Sequence, residues 1–266
     1  MLNGKKQRGF SLAEVLMALA ILALGMVFIA GVFPAGIYYT IISTERTLGS
    51  VVADEAFAKI RLYGVDVNLP FVGEKLPKAG CVDFSSTSAI WPIPVDTQYN
   101  EFAYPSDPNI DISDKKYYWS ALCRRVSGTK PGETLVQVTV FVSRKTGVGT
   151  TYYDPTDITK PVGYPYPRPV LIPVAAVGTV PTRTLQIIDL NKDGIERTFI
   201  NAGSIIVEDT FGRIYRVVER NSTNPDEITI ERDWQGLVSD KIWVIPPPVG
   251  GGRQPCIGVF QKEMLF

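Results

Sequence analysis

Hydrophobic and polar positions along the chain fall into three regimes. Residues 15–33 hold only Ala, Val, Ile, Leu, Met, Phe and Gly, and no charged residue occurs between Glu14 and Glu45. At 1.5 Å per residue, a helix from Phe10 to Phe33 is roughly 36 Å long, enough to cross a hydrocarbon core of about 30 Å. The apolar block then gives way to a stripe. Ile41, Leu48, Val52, Ala56 and Ile60 share one helical face, with Glu45, Arg46, Asp54, Lys59 and Arg61 mostly elsewhere. This spacing predicts an amphipathic helix from Ile37 to about Tyr63, stopped at Gly64. Pro34, followed by Ala35 and Gly36, is expected to bend or locally unwind the helix between the two halves.

From there the period shortens to two. Val136, Val138, Val140 and Val142 alternate with Gln137, Thr139, Phe141 and Ser143, which predicts a half-buried strand, and Tyr117 to Val126 predicts its hairpin partner. Residues 152–181 are rich in Pro and Tyr, including Tyr164-Pro165-Tyr166-Pro167-Arg168-Pro169. Proline lacks the donor a ladder needs, so this stretch is expected to be an extended connector rather than central strand. A Tyr-Pro run can also be a ligand for an aromatic groove. Six short runs follow, Leu185–Leu190, Ser204–Asp209, Ile214–Glu219, Ile228–Arg232, Lys241–Ile245 and Cys256–Gln261, and suggest a second β module.

Composition narrows the chemistry. The 266 residues carry 27 Lys+Arg against 27 Asp+Glu, so no basic field exists to hold nucleic acid, and no such partner is expected. Histidine is absent, which removes Ser-His-Asp and Cys-His nucleophiles and His-ligated zinc. Three cysteines, Cys81, Cys123 and Cys256, are too far apart in sequence for a CxxC site. Export permits a disulfide, yet one thiol must remain over and the sequence does not choose among three pairings. Cys123 shares a strand face with Trp119 and Ala121, which points to a buried, inert thiol.

The charge balance hides an asymmetry. Lys5, Lys6 and Arg8 lie within the first nine residues and no acid does. By the positive-inside rule, this leader holds the N-terminus in the cytoplasm and everything after Phe33 is exported. A signal peptidase would need small residues at the end of the apolar run, and Phe33-Pro34-Ala35 has a bulky one. A plain signal anchor leaves Glu14 unexplained, because a lone carboxylate in lipid costs on the order of 2.5–3.5 kcal/mol at the helix centre and less near an interface.

The stretch Arg8-Gly9-Phe10-Ser11-Leu12-Ala13-Glu14-Val15-Leu16 resembles the processing signal of the type IV pilin and type II secretion pseudopilin family. The resemblance covers residues 1 to about 64. It implies cleavage by a prepilin peptidase between Gly9 and Phe10, N-methylation of Phe10, and a role in assembly for Glu14. The partners it implies are other pilin or pseudopilin subunits, the peptidase, an inner-membrane assembly platform, and membrane lipid before assembly. Physically, a carboxylate buried among apolar helices needs a positive partner, and the amine of a neighbour's Phe10 can supply one. Glu14 is also compatible with simply sitting at the helix start, favoured by the macrodipole and near the headgroups.

Periodicity and resemblance together imply an α+β fold. A long N-terminal helix, transmembrane in its apolar half and amphipathic in its second half, packs on an antiparallel β-sheet, and a second β-rich module follows. The expected segments are a basic leader at 1–9, a transmembrane and assembly helix at 10–34, an amphipathic helix at 35–64, a pilin-like β-sheet region at 65–150, a Pro/Tyr-rich connector at 151–182 and a C-terminal β module at 183–266. Localisation follows: inner membrane, single pass, cytoplasmic N-terminus, then a periplasmic or extracellular filament.

Two further motifs could carry chemistry. Asp189-Leu190-Asn191-Lys192-Asp193-Gly194 has the alternating oxygen ligands and sharp-turn glycine of a calcium loop, with Asp189, Asn191, Asp193 and Glu196 as candidate ligands. Its twelfth position is Ile200 rather than an acid, and Asn and Asp-Gly are also ordinary turn residues. No cofactor is required, and calcium is the one candidate. The carboxylates Glu208 and Asp209 could serve a glycosidase, but adjacent residues on opposite strand faces read better as solvated surface. Three classes of function therefore remain: a non-enzymatic pilin or pseudopilin, a minor rather than major subunit because its body is bulky; a membrane-anchored extracytoplasmic hydrolase or binding module; and a passive envelope protein on a signal anchor.

Overall fold

A computed structural model describes residues 11–65, 80–84, 102–112, 114–126, 135–147, 149–153, 166–188 and 194–266. Helix α1 runs from Leu12 to Tyr63. Helical turns continue on both sides of Pro34, so of the two outcomes expected there the local unwinding does not occur. The end is as read, with Gly64 at φ +72° and its N–H donating to the Ile60 carbonyl at 2.9 Å.

The chain divides into two units, Met1–Thr47 and Leu48–Phe266. In the first, large apolar side chains such as Leu12, Met17, Ile21, Phe28, Phe33 and Ile41 are exposed on the helix surface. Further along this unit, Thr40, Thr44 and Thr47 donate their hydroxyls to the carbonyls of Gly36, Thr40 and Ser43 at 2.9–3.1 Å. Polar side chains are thereby satisfied within the helix itself.

The second unit holds strands β1 (Val82–Asp83), β2 (Ala103–Tyr104), β3 (Tyr117–Arg125), β4 (Leu135–Arg144), β5 (Val170–Ala176), β6 (Thr182–Ile187), β7 (Ile205–Glu208), β8 (Ile214–Arg220), β9 (Glu227–Trp234), β10 (Ser239–Val244) and β11 (Cys256–Leu265), with the one-turn helix α2 at Ile195–Thr198. The first sheet is antiparallel in the order β1-β3-β4-β11, with β2 also paired to β3. Against it packs the last part of α1 through Gly49, Val52, Ala53, Ala56, Phe57 and Ile60. Small residues let the helix come close: a Cβ at Gly49 would stand 3.2 Å from Ile257 and 3.7 Å from Phe260 on β11.

Strand β4 is not half-buried. Val136, Val138, Val140 and Val142 face the helix, but Phe141 on the other side is equally buried, with Leu122, Val207 and Ile245. A period of two identifies a strand but cannot report that its polar-looking face is covered, here by the second β module.

That module is a closed barrel in the order β10-β5-β6-β9-β8-β7, returning to β10. Closure removes the edges and fills the interior with Val170, Ile172, Val174, Leu185, Ile206, Val217, Ile230 and Trp234 among others. Two expectations are corrected. Within the stretch expected to be a connector, Val170–Ala176 is a strand paired on both sides, to β10 and β6. Pro173 sacrifices one donor while its carbonyl still accepts from Ile188 at 2.9 Å. And β11, expected in the C-terminal module, pairs along its length with β4 of the first sheet, because Ile257, Phe260 and Met264 complete the helix-facing core. Of the Tyr-Pro run, Tyr164 and Pro165 lie outside the described residues. Tyr166 stacks on Tyr118 at 5.1 Å, and Arg168 pairs with Asp83 at 2.6 Å, so the described part is packed.

Candidate membrane anchor and assembly site

Ser11 stands immediately before α1 and caps it. Its backbone N–H donates to Glu14 Oε2 at 3.0 Å, and its hydroxyl accepts from the Glu14 N–H at 3.4 Å. This reciprocal pair is a capping box, Ser-x-x-Glu, which satisfies two of the donors left over at a helix start. The carboxylate also sits in the first turn, where the macrodipole favours negative charge. The signal was present in the sequence, though Ser11 was not singled out there. Gly9 and Phe10 lie outside the described residues.

Beyond the cap, Glu14, Val15, Ala18, Leu19 and Leu22 lie along one helix face and line a shallow groove. Spacings of one and three alternate down the helix, so that residues four apart stack on one face, and Ala18 supplies the hollow. The carboxylate is thus at the head of an exposed apolar face rather than isolated in it. Among the described residues, α1 is the one helix long and apolar enough to cross a membrane.

Residues 4–30 match the family model of the prokaryotic N-terminal methylation motif. The chain carries the type IV pilin and pseudopilin signature. No curated protein and no solved structure matches the chain. Motif and apolar helix together give the chain a pilin-type N-terminal segment long and apolar enough to anchor it in a membrane. The matched segment contains Gly9, Phe10 and Glu14, the three positions that bear the resemblance.

The remaining candidates lie in the body. Asp189, Asn191 and Asp193 are outside the described residues. Gly194 adopts φ +74°, the left-handed turn that the sixth position of a calcium loop requires, and Glu196 is buried in α2. Ile200, in the twelfth position, is fully buried in the barrel core and offers no ligand. The Arg197 guanidinium lies against Gly194, where an added Cβ would meet it at 2.7 Å.

All three cysteines carry free thiols. The sheet separates Cys123, on its helix-facing side, from Cys81, on its barrel-facing side. Cys256 shares that second side, but it pairs with Ser143, whereas Cys81 is level with Arg124 and thus with Gln137. Six residues along β4 is about 20 Å, far beyond the roughly 7 Å that a disulfide spans between Cα atoms. Desolvation by burial raises the Cys81 thiol and pushes that of Cys256 up to about 12, so both are inert.

Glu208 and Asp209 do point to opposite faces, but Glu208 is not solvated surface: it is fully buried, pointing into the barrel. Asp209 ties the barrel to the first sheet, accepting from the Cys81 N–H at 3.1 Å and the Trp243 indole at 2.7 Å.

Proposed function

We propose that this chain is a non-enzymatic minor subunit of a type IV pilus or type II secretion pseudopilus. It enters the inner membrane as a single-pass precursor with its N-terminus in the cytoplasm. Prepilin peptidase cuts between Gly9 and Phe10, the new Phe10 amine is methylated, and the assembly platform draws the helix into a filament beside other pilin subunits. The observation that carries this reading is the motif at residues 4–30 leading into a helix whose apolar face is exposed and headed by a carboxylate. In lipid, that face is solvated by acyl chains and Glu14 is bonded by its own cap. In a filament, the face meets neighbouring helices, and the Glu14 carboxylate pairs with a neighbour's Phe10 amine, so a misaligned neighbour leaves two charges unpaired. The large two-part body favours a minor subunit over the major one.

The test is Glu14→Val. A simple anchor loses nothing by it, since an apolar residue sits better in lipid. The proposal predicts normal insertion and loss of co-isolation with filaments or partner pilins. Co-isolation at the wild-type level contradicts the amine-pairing role.

A further inference from the structure

Glu208 ends β7, opposite Ile242 of β10. Strand alternation puts its side chain on the inner face of the barrel with Ile206, and Asp240, two residues before Ile242, lies on the inner face as well. Two carboxyl groups from adjacent strands therefore converge at one end of the barrel. Glu208 is fully buried, and as a carboxylate it finds no hydrogen-bond donor for either oxygen. Asp240 is already engaged, its Oδ1 accepting from the Thr210 hydroxyl at 2.9 Å and its own neighbour's Lys241 N–H at 2.8 Å, and its Oδ2 from the Leu237 N–H at 3.4 Å.

The same end is closed by the turn at residues 235–238 between β9 and β10. Trp234 donates its indole N–H to the Leu237 carbonyl at 2.9 Å, the Gln235 N–H donates to the Tyr215 hydroxyl at 3.2 Å, and the Tyr215 and Trp234 rings are 5.0 Å apart. Gly236 has no room for a side chain, because a Cβ there would stand 2.7 Å from Glu208 Oε1 and 2.6 Å from the indole. The buried carboxyl is thus directly beneath the turn. Besides Asp240, the charged groups around it are Arg213, 3.9 Å from Glu208 Oε2, and Arg124 of β3, while Asp209 faces away to Cys81 and Trp243.

We propose that Glu208 and Asp240 form a proton-held latch on this end of the barrel. With one proton between them, Glu208 donates to Asp240, the site holds a single negative charge opposite Arg213, and the turn at 235–238 stays shut. Release of the proton to solvent leaves two confined carboxylates, one without a donor, and the turn loosens. Burial first, then the Asp240 charge, push Glu208 up to about 7 against the pull of Arg213. Leu237 and Val238, both exposed, ride on the turn, so the latch couples local acidity to the mobility of these two apolar side chains. This device is independent of the filament reading.

The experiment is hydrogen exchange on the full chain in detergent micelles, following the Gln235 and Leu237 amides, with β4 amides as the reference for global opening. One linked proton predicts that the opening equilibrium of the turn rises about tenfold per pH unit between the ordinary 4.5 and the folded value of about 7, then levels. Glu208→Gln should flatten this rise, and Asp240→Asn should move it to lower pH. Opening of the wild-type turn that does not change with pH overturns the proposal. So does an equal rise in Glu208→Gln or, should that variant not fold, an unshifted rise in Asp240→Asn.

Discussion

The indole N–H of Trp243 donates to Asp209 Oδ1 at 2.7 Å, and this bond joins β10 of the barrel to the turn that rests on the first sheet. The same oxygen accepts from Cys81, beside β1. Nearby, Gln261 of β11 donates to the Gly212 carbonyl at 2.7 Å and to Thr139 at 2.9 Å. One short turn, residues 209–212, thus fastens barrel to sheet, and the helix-packed and barrel halves of the body share the buried layer of Leu122, Phe141, Val207 and Ile245.

Asp209→Ala is therefore expected to destabilise the body although the residue touches no candidate ligand. Two partly buried donors lose a charged acceptor, a loss of about 2–3 kcal/mol. Denaturant unfolding of the full chain in micelles reads it, and a change within experimental error of zero would show that the joint holds without this carboxylate.

Glu208 also links global stability to pH. Its folded pKa, about 7, lies above the ordinary 4.5, so the folded state keeps a proton that the unfolded chain has released. The sign follows: the contribution is fully present below pH 4.5 and is lost as pH rises through 7. Glu208→Gln should raise the melting temperature at pH 8 relative to wild type and leave a smaller difference at pH 4.5. A wild-type melting temperature that climbs over this window more steeply than that of the variant contradicts the assignment.

For the loop at residues 189–194 we propose weak calcium binding, opposed by the Arg197 guanidinium at Gly194. Ligand bound only to the native state adds RT ln(1 + [L]/Kd), about 2.7 kcal/mol at a hundredfold excess over Kd. Extracellular sites of this kind bind at about 10⁻⁴–10⁻³ M, so a titration to tens of millimolar is required. The melting temperature should rise with calcium, Asp189→Ala and Asp193→Ala should abolish the rise, and Arg197→Gln should strengthen it. Indifference of the wild type to calcium returns the segment to a plain turn.

Helix α1 was legible because its two halves announce themselves differently, a solid apolar block and then a stripe with a glycine stop. Strands β3 and β4 were legible from alternation, and so were most barrel strands. What local pattern could not carry was pairing across long separations. Strand β5 was hidden by Pro173, whose missing donor reads as a veto although a strand tolerates one such gap. Strand β11 follows the barrel in sequence but belongs to the first sheet, since its apolar positions match a helix roughly two hundred residues earlier. At the candidate site, Gly9, Phe10 and Glu14 were legible through the motif and Ser11 through its spacing to Glu14. The burial of Glu208 was not, because only the closed barrel brings Gly236, Trp234 and Asp240 over it.

Processing should depend on a small residue before the cut. Gly9→Val is expected to leave the leader attached and the chain held in the membrane. Maturation of this variant at the wild-type rate would remove the reason for assigning the junction to Gly9 and Phe10.

The most direct measurement is the intact mass and N-terminal residue of the protein isolated from the membranes of its own cell. The account predicts a chain that begins at Phe10, with the mass of residues 10–266 plus one methyl group. A chain that still begins at Met1, or one cut after the apolar block near Ala35, would contradict it.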